Sequence, residues 1–215
     1  MKARVLIADD HELVRTGIRR LLEDMDCEVV ATVASGEEAA DRVQQLQPDI
    51  ALIDIHMPGI GGLEASQRVQ RFSPQCRVII LTAHTQGPLP RALLETGVAG
   101  FLTKGCAFAE MQAAIHKVRK GERYLSHTVA QDLAFATVDG AADSPFNHLT
   151  ARELQVTMML VAGEQNRDIS QALQLSPKTV TTYRSRIFRK MAVRTLPELL
   201  RVAMQYDLTA PEQTA

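Results

Sequence analysis

Short apolar segments alternate with segments of helical period along the first 120 residues, and this alternation restricts the possible fold more than any other feature. The apolar segments are five or six residues long and rich in Val, Ile and Leu, which is typical of strands covered on both faces. We predict strands at 3–8, 28–33, 49–53, 77–81 and 99–103. We predict helices at 11–25, 36–47, 62–72, 90–97 and 107–121. Five strand–helix units in succession predict a doubly wound, five-stranded parallel sheet.

The pattern becomes entirely helical from Thr150 onward, with four helices predicted at 150–163, 167–175, 177–191 and 196–208. Thr150 and Glu153 predict a capping box, and Ser176 followed by Pro177 predicts a second helix start. Residues 86–90 hold two prolines and a glycine, so the fourth crossover helix should be short or irregular. We therefore expect an α/β domain at 1–122, a partly helical linker at 123–147 and an all-helical domain at 148–215.

Composition narrows the class of protein. No apolar run reaches the roughly 18 residues that a membrane span needs, and the first residues lack a secretory signal, so we expect a cytoplasmic protein with no membrane partner.

The two parts of the chain differ in the sign of their net charge. Residues 1–145 hold 15 Lys and Arg against 19 Asp and Glu, whereas residues 146–215 hold 9 against 6, giving net charges of −4 and +3. Residues 176–194 contain six basic side chains and no acidic one. This distribution favours a polyanionic partner for the second domain over an ordinary solvated face.

Polar side chains stand at the carboxyl ends of four predicted strands. Asp9 and Asp10 follow the first strand, Asp54 ends the third, Thr82 ends the fourth and Lys104 follows the fifth. A single acid at such a position is more often a helix cap, and a single lysine there is more often an exposed loop residue. In combination, these groups meet in the crevice where a doubly wound sheet binds its ligands. Three adjacent carboxylates favour Mg²⁺, and phosphorylation of Asp54 would fit the arrangement, with Lys104 and the Thr82 hydroxyl available to the phosphoryl oxygens.

Four segments of the first domain resemble the receiver domain of two-component response regulators: DDHELVRTGI at 9–18, DIHMPGIGGLEA at 54–65, LTAH at 81–84 and AGFLTKG at 99–105. The resemblance implies a flavodoxin-like fold in which Asp54 accepts a phosphoryl group from a sensor histidine kinase. It implies Mg²⁺ ligands from Asp9, Asp10, Asp54 and the backbone carbonyl of His56. It further implies that Thr82 and Lys104 contact the phosphoryl group and that Thr82 and Phe101 form the switch. A transition-metal site built from His11, His56 and His84 is disfavoured, because each matches a variable or commonly His-bearing receiver position.

The segment 177–191 separates into two faces when it is projected as a helix. Val180, Tyr183, Ile187 and Met191 fall on one face, whereas Lys178, Thr182, Ser185 and Arg189 fall on the other, flanked by Thr181 and Arg186. Short hydroxyl side chains and long cations on one face are what a helix in a major groove requires. The segment 167–175 would supply the supporting helix of a helix-turn-helix.

The second domain resembles the helix-turn-helix of the LuxR/NarL (FixJ) family, through LTARELQV, AGEQNRDISQAL and LSPKTVTTYRSRIFRKM. The resemblance implies that Thr179, Thr181, Thr182 and Ser185 approach double-stranded DNA. The implied phosphate contacts are Lys178, Arg184, Arg186, Arg189 and Lys190. Many relatives carry lysine where this chain has Thr181, so we expect this chain to differ from them in base preference. Over its whole length the chain is most similar to the GacA/UvrY group of response regulators.

The resulting expectation is a non-enzymatic transcription regulator whose phosphorylation at Asp54 controls homodimerisation and DNA binding, with RNA polymerase as a further partner. Self-assisted phosphotransfer and dephosphorylation would be its only chemistry. Two alternatives stay open. A phosphohydrolase acting through a phosphoaspartate would also place Asp and Mg²⁺ at a strand end, although its signature needs a second Asp where His56 stands. A regulator that binds DNA without phosphorylation is the other.

Overall fold

A computed structural model describes residues 2–82, 97–131, 144–206 and residue 208. Within these residues the chain forms two compact units, of which the first ends at Gln131 and the second begins at Ser144. The predicted fourth crossover helix, apart from Gly97, lies outside the described residues, as do the interruption at 86–90 and most of the connector. No helix in the described ranges is long and apolar enough to cross a membrane.

The first unit is built on a parallel sheet with the strand order β2-β1-β3-β4-β5-β6. The strands are β1 (Ala3–Ala8), β2 (Cys27–Val33), β3 (Ile50–Asp54), β4 (Arg77–Thr82), β5 (Gly100–Thr103) and β6 (Tyr124–Leu125). All five residues of β3 and all of β4 except Arg77 are buried. Burial of both sheet faces explains why these strands are continuous apolar runs and confirms the predicted doubly wound class.

Helices cover both faces of the sheet. They are α1 (Glu12–Glu23), α2 (Gly36–Leu46), α3 (Gly61–Phe72) and α4 (Phe108–Arg119). Ile18 and Leu22 of α1 share one apolar cluster with Met111 and Ile115 of α4 and with alternate residues of the central strands. Helices α2 and α3 pack against each other and against β1, β3 and β4. The carboxyl ends of the strands therefore open between two layers of helices.

The sheet has a sixth strand that the sequence did not predict. Tyr124 and Leu125 pair in parallel with Gly100 and Phe101, and the Tyr124 amide donates to the Ala99 carbonyl at 2.9 Å. Two residues are too few to carry a periodic signal, and this strand falls in the segment predicted to be the linker. Residues 127–131 after it are helical.

Helices are the only regular secondary structure in the described residues of the second unit. A short 3₁₀ helix (Pro145–His148) precedes α5 (Ala151–Val161), α6 (Asn166–Ala172), α7 (Pro177–Lys190) and α8 (Leu196–Gln205). Both backbone and side-chain bonds of the predicted Thr150–Glu153 capping box are present. The Ser176 side chain accepts the Thr179 amide proton at the start of α7, as predicted.

Candidate functional site

The sequence-predicted residues of the first unit lie at one edge of the sheet. Strand register pairs Ala8 with Ile53, and Asp54 with Leu81. Thr82 pairs with Thr103, the residue before Lys104. Because all these strands are parallel, Asp9, Asp54, Thr82 and Lys104 stand side by side where their strands end.

Lys104 joins the two central carboxylates of this edge. Its Nζ donates to Oδ2 of Asp54 at 2.8 Å and lies 2.9 Å from Oδ2 of Asp9. Asp9 and Asp54 are fully buried, whereas Asp10 is half-buried. The backbone amide of Lys104 donates to the Thr82 carbonyl at 2.8 Å, which ties the lysine to the end of β4. We call the group formed by Asp9, Asp10, Asp54 and Lys104 the acid pocket.

Burial dominates the electrostatics of the acid pocket. Loss of solvent raises the pKa of Asp54 to about 6, although the Lys104 ammonium opposes this shift. For Lys104, burial alone lowers the pKa, but the Asp54 and Asp9 carboxylates outweigh it and raise the pKa above its ordinary value. With a pKa of about 6, Asp54 is ionised at neutral pH, and the Lys104 ammonium beside it compensates the cost of burial only in part.

The donor atoms of the acid pocket fit a hard divalent cation. Ligand atoms of Asp9, Asp10, His11 and Asp54 all lie within 4.8 Å of one another. Asp10 Oδ1 is buried and accepts no well-directed hydrogen bond from the described residues, although His11 Nδ1 approaches it to 2.7 Å. Carboxylate oxygens with room for water are the donors that Mg²⁺ prefers. Of the three histidines weighed for a transition metal, His11 joins this cluster and His84 lies outside the described residues.

The loop between β3 and α3 is packed closely against Asp54. The His56 amide donates to Asp54 Oδ1 at 3.2 Å. At Gly62 an added Cβ would collide with the Asp54 carbonyl oxygen, and the Gly62 amide donates to the Ile55 carbonyl at 2.9 Å. Only glycine allows the start of α3 to approach the end of β3 this closely.

Two polar residues near the acid pocket were not predicted. Arg15 Nη1 donates to the Asp9 carbonyl oxygen at 2.6 Å, and Glu37 Oε1 accepts the Ile60 amide proton at 3.1 Å. Arg15 lies on α1 and Glu37 on α2, so both act across elements. Neither has a local sequence signal beyond its position near a helix start.

The two residues assigned to the switch are buried in adjacent strands. Thr82 is 1% exposed and Phe101 is fully buried. Phe101 pairs with Ile80 on one side and Leu125 on the other. The newly found strand β6 therefore lies directly beside the aromatic residue.

Helix α7 presents the predicted two faces. Val180, Ile187 and Met191 are buried and Tyr183 is half-buried. The polar residues assigned to DNA are exposed, apart from the half-buried Thr179 and Arg184. They are Lys178, Thr179, Thr181, Thr182, Arg184, Ser185, Arg186, Arg189 and Lys190. Arg184 lies over the Phe188 ring at 5.2 Å from its centroid.

Lys190 differs from the other cations of α7 because its ammonium forms hydrogen bonds to acceptors within the second unit. Its Nζ donates to Oε2 of the buried Glu153 at 2.6 Å and to the His148 carbonyl at 3.0 Å. Burial raises the pKa of Glu153, but the bonds from Lys190 and Thr150 outweigh it, so the net pKa lies below its usual value. The last turn of α7 is thereby tied to the capping box of α5.

Each of the two units matches the model of a known protein family. The model of the response regulator receiver domain matches residues 5–116, and that of the bacterial regulatory proteins of the luxR family matches residues 147–203. The response regulator GacA of Pseudomonas protegens is 45% identical over 95% of this chain and 97% of its own length. The response regulator UvrY of Escherichia coli strain K12 is 42% identical over 97% of this chain and 96% of its own length.

Solved structures agree with these matches. A LuxR-family two-component response regulator from Aurantimonas sp. SI85-9A1 is 36% identical and covers 64% of this chain and 99% of its own, with a TM-score of 0.60. RcsB of Salmonella enterica serovar Typhimurium, solved on the rprA promoter with the phosphomimetic BeF₃⁻, has a TM-score of 0.75. It covers 94% of this chain and 98% of its own at 23% identity, so it supports the fold alone.

Proposed function

Because this chain belongs to the two-component response regulators, with a receiver domain followed by a LuxR-type DNA-binding domain, we propose that phosphorylation of Asp54 controls its binding to double-stranded DNA. The phosphoryl donor is a sensor histidine kinase, and the outcome is regulated transcription. The observation that carries the proposal is the convergence of Asp9 and Asp54 on the Lys104 ammonium at 2.9 and 2.8 Å. A nucleophile, a charge-neutralising cation and acids for a metal then share one pocket.

The transfer uses a carboxylate oxygen of Asp54 as the nucleophile. A bond forms between this oxygen and phosphorus as the bond from phosphorus to the kinase histidine nitrogen breaks, and the electron pair returns to that nitrogen. Lys104 then holds charge on the phosphoryl oxygens, and the Thr82 hydroxyl donates to one of them. The same residues assist the later hydrolysis, and we propose that phosphotransfer to Asp54 and this hydrolysis are the only chemistry of the protein.

The residues Asp9, Asp10 and Asp54 would hold Mg²⁺ together with the backbone carbonyl of His56. When bound, the ion supplies neutralisation of phosphoryl charge. The proposal is supported by the three carboxylates of the cluster and by the Asp10 oxygen that lacks a well-directed hydrogen bond. Arg15 holds the backbone of Asp9 from α1 and so orients the first ligand.

The switch runs from the acid pocket to the outer strands. The new phosphoryl group adds a charge of about −1.5 to −2, which draws the Thr82 side chain toward it and allows Phe101 to repack between β4 and β6. The remodelled surface favours a homodimer. Changing a population from 1:99 to 99:1 requires about 5.5 kcal/mol, to which dimerisation contributes.

DNA contacts come from α7 of each protomer. Thr179, Thr181, Thr182 and Ser185 face bases, whereas Lys178, Arg184, Arg186 and Arg189 contact phosphates. We leave Lys190 out of the phosphate contacts because its ammonium is held by Glu153 and His148. Action on chromosomal DNA implies a cytoplasmic protein, with RNA polymerase as the partner through which bound protein changes transcription.

The test compares the full chain with Asp54→Asn, before and after treatment with acetyl phosphate and Mg²⁺. Intact mass, native mass and affinity for DNA selected from a random duplex library are measured. Wild type should gain one phosphoryl group, dimerise and bind more tightly, and Asp54→Asn should do none of these. Asp41→Asn, which removes an exposed acid of α2, is the matched control and should behave as wild type. Equal behaviour of wild type and Asp54→Asn would reject the switch, and turnover of small phosphomonoesters would favour a hydrolase.

A further inference from the structure

The hydroxyl groups on the exposed side of α7 all donate to protein acceptors or take part in a cap. Thr181 Oγ1 donates to the Pro177 carbonyl at 3.0 Å and Thr182 Oγ1 donates to the Lys178 carbonyl at 2.9 Å. Ser185 Oγ donates to the Thr181 carbonyl at 3.0 Å. Thr179 Oγ1 lies 2.8 Å from Ser176 Oγ in the cap of the helix. The single proton of each of the three back-bonded hydroxyls is therefore committed to the helix backbone.

This commitment determines which groups the threonines can offer to a partner. A threonine Cβ carries one oxygen and one methyl group, and back-bonding turns the oxygen toward the preceding turn of the helix. Thr181 and Thr182 are both exposed, so their γ-methyl groups are the parts left for contact away from that carbonyl. The outward side of α7 then offers methyl groups and oxygen lone pairs, and its free donors come from lysine and arginine.

Among the four bases, thymine alone presents a methyl group in the major groove. We propose that Thr181 and Thr182 are specificity-determining residues that recognise thymine through contacts of their γ-methyl groups, and that their hydroxyls donate to no base. This inference rests on the proposed DNA binding and adds the base class that α7 reads. It excludes the reading in which the two hydroxyls donate to guanine or adenine N7.

Recognition through the γ-methyl groups and donation by the hydroxyl groups require different parts of the threonine side chain. Valine keeps the β-branched shape and the methyl group but removes the hydroxyl, whereas serine keeps the hydroxyl and removes the methyl group. Loss of one buried methyl contact corresponds to about fourfold in affinity. The double variant Thr181→Ser/Thr182→Ser should therefore bind about 15-fold more weakly, and Thr181→Val/Thr182→Val should bind within about threefold of wild type.

The experiment uses the full chain treated with acetyl phosphate and Mg²⁺, on the duplex that the wild type selects from a random library. Affinities of wild type and both double variants are measured on this duplex and on a copy with uracil in place of every thymine of the half-sites. Removal of the thymine methyl should weaken wild type but leave the serine variant nearly unchanged, because the contact has already been lost. Thermal unfolding checks that the variants are folded. Thr128→Ser and Thr128→Val, at an exposed helical threonine of the first unit, are the matched controls.

Each outcome decides between the readings. A loss of tenfold or more in the valine variant would overturn the inference, because the hydroxyls would then be required. Full affinity of the serine variant would overturn it as well, since the methyl groups would then contact no base. Equal penalties from uracil in wild type and serine variant would show that the thymine methyl is read by other residues. If the wild type selects no duplex at all, both the proposed function and this inference are rejected. If the wild type selects a duplex but the valine variant binds it weakly, only this inference is rejected.

Discussion

Asp54, the proposed site of phosphorylation, lies in an unfavourable electrostatic environment. Its carboxylate is fully buried, burial raises its pKa to about 6, and it shares a single ammonium with Asp9. A folded-state pKa above the unfolded value of 3.8 means that the folded protein retains this proton longer than the unfolded chain. The contribution of Asp54 to stability is therefore present at low pH and is lost as pH rises through about 6.

We predict that Asp54→Asn stabilises the metal-free protein at neutral pH. Urea unfolding in EDTA should give the variant a higher free energy of unfolding at pH 7.5, by up to about 3 kcal/mol for a shift of this size. At pH 4 the difference should be much smaller, because wild-type Asp54 is then protonated when folded. Addition of Mg²⁺ should stabilise wild type more than the variant. A variant that is less stable than wild type at pH 7.5 would contradict this electrostatic account.

For individual residues, the sequence predicted where a side chain lies better than it predicted which partner the side chain contacts. Strand ends alone indicated that Asp9, Asp54, Thr82 and Lys104 stand together, because parallel strands fix where their termini meet. The engagement of Lys190 was not predictable in the same way. Its partner Glu153 is 37 residues away, and helical periodicity gives the direction of a side chain but not which charge it meets.

At the level of elements, the approach of α3 to β3 determines how the acid pocket is built. The first turn of α3 is hydrogen-bonded to Ile55 and leaves no space for a side chain at Gly62. Glu37 at the start of α2 holds the same loop through the Ile60 amide. Two helices therefore fix the loop that carries His56.

We predict that Gly62→Ala destabilises the first unit and weakens the acid pocket. The new Cβ meets backbone atoms of Asp54, which cannot move as a flexible side chain can, so β3 and α3 must separate. A loss of about 1–3 kcal/mol in unfolding free energy is expected, as for other overpacked sites, together with weaker Mg²⁺ binding by calorimetry. Gly17→Ala on α1 is the control, since its Cβ would meet nothing within 4 Å. That variant should gain roughly 0.5–1 kcal/mol from helix propensity. Similar effects of the two substitutions would contradict the close-approach argument.

Continuous apolar runs of five or six residues located five strands of the first unit, and 3.6-residue patterns located helices of both units, but the two-residue strand β6 was not predicted. Tyr124 and Leu125 became a strand only because the edge of β5 offered free backbone groups, which is a tertiary effect. Such an element leaves no signal in its own two residues.

Across the whole molecule, acidic residues predominate in the first part of the chain and basic residues in the second. Residues 1–145 carry a net charge of −4 and residues 146–215 a net charge of +3. Within the second part, the cations of α7 are of two kinds. Lys178, Arg186 and Arg189 are exposed, whereas Lys190 bonds to Glu153. Total charge therefore overstates the number of cations that reach DNA.

We predict a logarithmic salt dependence of DNA affinity with a slope of about −4 per protomer, from four phosphate contacts at about −0.9 each. Arg189→Met should reduce the magnitude of this slope by about 0.9. Lys190→Met is its neighbour and should leave the slope unchanged while lowering the thermal stability of the second unit, because it leaves Glu153 buried without its cation. Equal changes in slope for both variants would mean that Lys190 contacts phosphate after all.

Because Lys104 is shared between two carboxylates, the valence of an ion that binds in the acid pocket matters. Three carboxylates and one ammonium give the acid pocket a formal charge of −2. Potassium or sodium would leave half of that charge uncompensated in a buried place, whereas a doubly charged ion balances it. We therefore expect phosphorylation of this regulator to depend on the free concentration of divalent ions in the cell and not on the concentration of monovalent salts.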